Sequence, residues 1–399
     1  MLNKRIYFVI YLCAAIGPLA GNAILAMLIE LQTTLHASEF QVMLSIPAFM
    51  FPFAIFQLFT GTLSDKWGRK SSLILGLLIY AVSCVAISVV SDLSSFLLLR
   101  ITQGIGNAFI APVALAMLGD ITERSQYGMA MGFYGSSTTA GVVAGPIIGG
   151  FLAEVDWRLA FIVLAALAFI SMLLVLIVIS YSGSNIRRPD TSLMRNINEA
   201  VRHRNIILSS SIGAMGFLAS IGSLSFLSLY LRSSSFALGP SEMGIIISMG
   251  GFVGIFFSPI AGRLTDICSP RLATILGICI TAPAVLLTAF VGEYYQFLAL
   301  SSLNGIGTSF MWTGLLTTAV GEVPRLRGTT SSIFNSSRFT GYAVSSILLW
   351  PIYSDFRYIG IAFACTGILL AGVLIALALP AKPCREKSEI PPAADSGKS

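Results

Sequence analysis

Apolar residues run through this chain in blocks of about twenty, broken by short clusters of charged and turn-forming residues, and neither a period of two nor a narrow amphipathic stripe dominates. A hydrocarbon core of about 30 Å takes about twenty such residues per helix. Cutting at the polar interruptions predicts twelve spans, near 6–29, 41–62, 71–91, 95–118, 128–153, 158–181, 206–231, 241–263, 271–291, 295–320, 328–352 and 357–379. The longest polar interior stretch, 182–205, divides six spans from six. The expected organisation is an N-terminal bundle over 1–181, a linker over 182–205 with a short amphipathic helix on the membrane surface, a C-terminal bundle over 206–380, and a disordered tail over 381–399.

Composition agrees with a lipid solvent: 55% of the 399 residues are hydrophobic, 11% are charged and mean hydropathy is +0.85. The formal charge of +6 raises the question of nucleic acid, but no basic stripe or recognition motif supports such a partner. Sorting the 24 basic residues by loop explains the charge better. Nineteen fall on one side of the twelve-span arrangement, and only Arg158, Arg232 and Arg357 on the other. The positive-inside rule then puts both termini in the cytoplasm, in a multi-pass protein of the cell (inner, cytoplasmic) membrane. Five of the six cysteines lie in apolar stretches and are expected to act as small buried hydrophobes. No CxxC, clustered histidine, P-loop, HExxH or nucleophile elbow is present, so the sequence points to no metal, no cofactor and no enzyme.

Sliding the chain over itself by about 201 residues aligns GTLSDKWGRK (Gly61 to Lys70) with GRLTDICSPR (Gly262 to Arg271), and QGIGNA (Gln103 to Ala108) with NGIGTS (Asn304 to Ser309). A repeat of six spans is the architecture of many secondary transporters, with the solute site between the halves near the midplane. At these residues the chain resembles the major facilitator superfamily, in particular its twelve-span drug/proton antiporter branch. The loop signature after span 2 is carried by Gly61, Leu63, Asp65, Gly68, Arg69 and Lys70, the span 4 motif by Arg100, Gln103, Gly104 and Gly106, and the span 5 antiporter motif by Gly141, Gly145, Pro146, Gly149 and Gly150.

The resemblance implies an all-α membrane fold of two six-helix bundles related by pseudo-two-fold symmetry, and alternating access coupled to a proton gradient. It further implies a latch on the cytoplasmic gate in the outward-facing state, broken on inward opening, in which Gly61 and Gly68 allow close packing, Asp65 caps the N-terminus of span 11 near Gly328, and Arg69 pairs with Asp120. The alternative for the basic residues of this loop is topology alone. Gly141, Gly145 and Gly149 line one face of span 5 for close helix approach, and Pro146 bends it. Their link to antiport comes from the resemblance alone.

Arg100 and Arg338 are the basic residues inside spans, and neither has a counterpart in the repeat, which carries them onto Ser301 and Ser137. A cation at such depth faces a cavity or a partner. No acid lies mid-span; Glu30, at the outer end of span 1, comes closest and is the candidate proton site. Gln103, Asn107, Asn304, Trp312 and Asn335 are further candidates for the substrate and proton pathway, or else interhelical polar contacts. The expected activity is export of a drug-like compound or of an anionic metabolite or metal chelator, by a monomer in the lipid bilayer. Import of a sugar or organic acid is the alternative, and a non-transporting receptor is the alternative of another class.

Overall fold

The computed structural model describes residues 2–123, 126–179, 193–233, 236, 238–323 and 326–381. Residues 182–192 of the expected linker, Cys384 and the expected tail from 382 onward lie outside the described residues. Every regular element among the described residues is a helix: α1 (Leu2–Ala23), a 3-10 turn (Ile24–Ala26), α2 (Leu28–Thr34), α3 (Glu39–Met43), α4 (Ser45–Trp67), α5 (Arg69–Ile87), α6 (Leu93–Ile121), α7 (Tyr127–Ala153), α8 (Arg158–Val178), α9 (Leu193–Ala200), α10 (Arg204–Ser233), α11 (Pro240–Ile267), α12 (Pro270–Leu287), α13 (Tyr294–Gly321) and α14 (Arg327–Ala376). In lipid a helix keeps its backbone hydrogen bonds to itself, which is why apolar runs fold this way.

Ten helices among the described residues are long and apolar enough to cross a membrane. α14 supplies two crossings: its 50 residues would span about 75 Å if straight, more than twice a bilayer core, and Arg357 breaks it with φ 53° and ψ −154°. α13 is long enough as well, 28 residues without a charged side chain. Twelve crossings result, and the break falls at the start of the predicted twelfth span. The chain turns between α4 and α5 on Gly68 alone, whose φ of 90° suits a residue without a Cβ.

The two halves pack in the same register. A Cβ on Gly106 would lie 2.8 Å from the Tyr80 nitrogen, and one on Gly307 would lie 2.7 Å from the Thr281 nitrogen, 201 residues along in each case. Likewise Gly104 seats on the Phe49 carbonyl and Gly305 on the Gly250 carbonyl. Small residues let helix backbones touch, and dispersion and lipid release hold such contacts where water cannot drive association. Cys13, Cys84 and Cys365 are buried, but Cys268 and Cys279 are exposed, correcting the expectation of buried thiols. An apolar side chain on a spanning helix has no reason to hide from lipid. α9, inside the expected linker, ends at Ala200, which is buried with Ile206 and Val323 against the partly buried Leu326 and Ile333.

Candidate gates and substrate site

Arg69 opens α5 and is 4% exposed, so each of its donors requires a partner. Its Nε donates to Asp120 Oδ2 at 3.1 Å, Nη1 donates to Ser64 Oγ at 2.6 Å and to the Gly61 carbonyl at 3.2 Å, and Nη2 pairs with Asp65 one turn before it. The guanidinium therefore ties the ends of α4, α5 and α6 together at what we call the Arg69 end of the molecule. Gly61 differs from the expectation of close packing: a Cβ there meets nothing within 4 Å.

The reason lies in the contacts between halves. α7 and α11 meet where Gly150 seats on the Pro240 carbonyl, Gly244 seats on the Pro146 carbonyl, and Ser248 donates to the Val143 carbonyl at 2.7 Å. The same faces continue at helical spacing through Ser136 and Gly132 on α7 and through Ser258 and Gly262 on α11. Both serines are exposed, and a Cβ on either glycine has nothing within 4 Å. α4 and α14 behave alike. Phe40 of α3, just before α4, contacts Trp350 at 5.2 Å between ring centroids, Phe53 contacts Phe339 at 4.7 Å, and Ser336 donates to the Ala54 carbonyl at 2.5 Å, but a Cβ on Gly61 or Gly328 meets nothing within 4 Å. These four helices are closed on one another at one end and apart at the Arg69 end.

Polar contacts bind the closed end. Glu30 pairs with Arg232 of α10, and both side chains are largely buried. Ser228 donates to the Leu25 carbonyl at 2.6 Å, and Tyr342 donates to the Gly21 carbonyl at 3.3 Å. Glu154 accepts from the Ser241 hydroxyl at 2.7 Å and from its backbone nitrogen at 3.2 Å, and these bonds hold its carboxyl below the ordinary value. Arg357 lies 3.8 Å from Glu39. Arg232 was not among the sequence candidates, although it is one of the few basic residues on the sparsely charged side.

The two arginines within spans differ sharply. Arg100 is 1% exposed; its Nε donates to the Ser45 carbonyl at 3.3 Å, its Nη1 donates to Gln103 Oε1 at 2.6 Å, and the guanidinium lies 4.5 Å from the Phe49 ring centre. Its repeat counterpart Ser301 donates to the carbonyl of Ile246, the counterpart of Ser45, at 2.6 Å. The bond between spans 2 and 4 is thus shared by both halves, made by arginine in one and serine in the other. Gln103 also reaches Cys84 Sγ at 3.0 Å.

Arg338 is only half-buried, and no described group accepts a hydrogen bond from it or pairs with its charge. Its guanidinium carbon lies 4.6 Å from the Phe217 ring centre, 4.8 Å from that of Phe339 and 5.6 Å from that of Trp312. Phe217 and Phe339 were not sequence candidates, and nothing separates them by sequence from the other phenylalanines. Asn335, one turn before, is half-buried and donates to Ser331 Oγ at 3.4 Å. Asn107 and Asn304 are buried, each with its Oδ1 unpartnered among the described residues. Gly141, Gly145 and Gly149 seat on the backbone of Ala15, Leu19 and Ala23 of α1, so the glycine face of α7 packs within its own half. Among the described residues no cluster of His, Cys, Asp or Glu could hold a metal ion.

The comparison with known proteins agrees with this two-fold arrangement. The model of the Major Facilitator Superfamily matches twice, over residues 10–234 and 214–396. An uncharacterized MFS-type transporter, MJ1560 of Methanocaldococcus jannaschii, is 26% identical, covering 87% of this chain and 90% of its own length. The quinolone resistance protein NorA of Staphylococcus aureus is 25% identical over 94% of this chain and 96% of its own. The multidrug resistance protein MdtG of Klebsiella pneumoniae is 25% identical over 84% and 82%. The chain, with its twelve crossings in two halves of matching register, is a multi-pass membrane transporter and belongs to the Major Facilitator Superfamily.

Proposed function

We propose that this chain exports a small organic molecule, a drug-like compound or an anionic metabolite, from the cytoplasm by proton-coupled alternating access. The observation that carries the reading is the splay of α4, α7, α11 and α14, closed at the Glu30 end and apart at the Arg69 end. With the Arg69 end cytoplasmic, as the distribution of basic residues argues, this is the state that loads solute from inside the cell. The six-helix bodies 1–181 and 206–380 rock about the contacts at mid-membrane, and the Asp65, Arg69 and Asp120 cluster steadies the cytoplasmic end of the first body. Export finds support in the multidrug and quinolone resistance relatives and in the glycine face of α7.

Glu30 is the proposed proton site. Its partner Arg232 belongs to the other half, so the charge of Glu30 bears directly on the contact that closes the outer end. The localisation that follows is the cytoplasmic membrane with both termini inside, and the protein works as a monomer without a bound cofactor.

The test is transport by purified protein in liposomes with an imposed pH gradient, screened against cationic dyes and aromatic carboxylates. Solute movement against its own gradient, opposite in direction to the proton flow and abolished by a protonophore, is expected. Movement in the same direction as protons would overturn export, and specific binding without flux of any bound solute would overturn transport itself.

A further inference from the structure

We infer that Arg338 and the rings of Phe217, Trp312 and Phe339 form the anchoring subsite for a flat aromatic monoanion. This rests on the transport reading above and names the substrate class within it. A guanidinium within the hydrocarbon region is costly unless its donors are met. Arg100 shows how this chain meets them where the role is to tie helices: a carbonyl, an amide oxygen and near-complete burial. Arg338 has none of these. Its Nε is buried without a partner, no described oxygen accepts from its other nitrogens, and its side chain remains partly accessible.

The three ring contacts account for only part of its coordination. Ring faces attract the cation, but they supply no acceptor oxygen, and the N–H donors of a guanidinium lie in its own plane. A carboxylate is the group that meets a forked pair of such donors. A second cation is disfavoured, because Arg338 already occupies the electron-rich faces that would otherwise attract it and repels it directly. The remainder of any ligand whose carboxylate reaches Arg338 lies along the same rings, which are set edge to face: Phe217 to Trp312 at 4.5 Å and 66°, and Phe217 to Phe339 at 5.9 Å and 90°. Stacking on such surfaces rewards a flat aromatic body over a puckered one of equal size.

The place in the fold agrees. Arg338 follows Ser336 and Ser337, which bind the Ala54 carbonyl of the other half and the Ser210 carbonyl of α10. It therefore sits at the depth where the contact between α4 and α14 gives way to the open side. Its repeat counterpart Ser137 donates to the Phe133 carbonyl of its own helix, so the cation is an addition to one half alone.

The test uses full-length protein in lipid nanodiscs with no gradient, and isothermal titration with four probes of similar size: naphthoate, naphthamide, decalincarboxylate and naphthylmethyl-trimethylammonium. Naphthoate is expected to bind about tenfold or more tighter than naphthamide, the scale of one charge-assisted hydrogen-bonded contact. It is also expected to bind tighter than decalincarboxylate and tightest of the four. Arg338→Gln is expected to abolish the preference for naphthoate over naphthamide, with naphthoate losing at least about tenfold more affinity than naphthamide does. Equal binding of naphthoate and naphthamide by the unaltered protein, or preference for the ammonium probe, overturns the proposal without reliance on any variant folding. A naphthoate preference that survives Arg338→Gln overturns it as well. Because binding is read at equilibrium, absence of flux in the liposome assay would sink the export reading and leave this result standing, and flux of cationic dyes indifferent to Arg338→Gln would do the reverse.

Discussion

Arg69 makes four polar contacts inside one half of the molecule, and its neighbours do not share the load equally. Arg69→Ala removes the guanidinium that Asp120, whose side chain is 7% exposed, shares with Asp65, Ser64 and Gly61, and should cost about 3 kcal/mol, the upper end for hydrogen bonds to a charged group. Asp120→Asn keeps a polar acceptor and leaves Arg69 bound to Asp65, Ser64 and Gly61, so its cost is about 1–2 kcal/mol, that of one weakened charged hydrogen bond. Thermal unfolding in detergent should rank the variants in that order, and equal losses would mean the Asp65 and Ser64 contacts contribute little. Glu30 belongs to a different class, since its partner is on the other half. Glu30→Gln keeps the shape and removes the titration. Uphill transport driven by a pH gradient should fall about tenfold or more, the scale on which a positioned proton-transfer group acts, with solute exchange in the absence of a gradient retained. Loss of both activities would assign Glu30 a purely structural place.

At the scale of elements, α7 carries two glycine faces that the structure separates. Gly145 seats on the backbone of α1 at Leu19, and a leucine there would force the helices apart, so Gly145→Leu should not assemble into monodisperse protein. Gly135 has open space around its Cβ position and lies on the face that continues toward the Arg69 end. Gly135→Leu should therefore fold and bind solute, yet fail to close that end and lose net transport. Binding measured beside flux on the same preparation distinguishes the two, and normal flux would show that α7 and α11 never approach there. The crossings and the repeat were legible because lipid imposes length and polarity on every helix, and because Gly61, Gly104 and Gly106 recur 201 residues on with the same spacing. The assignment of glycines to faces was legible only at four-residue spacing, as with Gly141, Gly145 and Gly149. The close packing expected at Gly61 belongs to the state in which the Arg69 end is closed, and the structure holds that end apart. Phe217 and Phe339 escaped notice because an aromatic ring that lines a site and one that faces lipid obey the same hydropathy. Arg232 carried a signal in its exception to the charge asymmetry, but its pairing with Glu30 depends on how the halves meet.

On the scale of the whole molecule, the proposed alternating access requires one rigid-body motion that opens the Glu30 end as it closes the Arg69 end, and a pair of distances can follow it. Spin labels at Val155 and Tyr295, both about four-fifths exposed, report the Glu30 end; labels at Trp67 and Ile267 report the other. The exposed Cys268 and Cys279 must first be replaced, since they would take label. Glu154 gives a means of shifting the balance without a mutation. Its carboxyl is held below the ordinary value of 4.5 by the Ser241 hydroxyl and backbone N–H across the gap between halves, and those bonds exist only while this end is closed. A lowered value in the closed state means that the ionised carboxylate favours closure. The contribution is complete above 4.5 and is lost as pH falls through the lowered value, and the proton taken up favours the separated state. Acidification from neutrality through that window should lengthen the distance from Val155 to Tyr295 and shorten that from Trp67 to Ile267 in the same fraction of molecules. With Glu154→Gln the Ser241 contacts persist in neutral form, and the part of the acid response due to this residue should vanish. If the distance at one end changes while the other stays fixed, the halves bend instead of rocking, and the splay of α4, α7, α11 and α14 is a local feature of their ends.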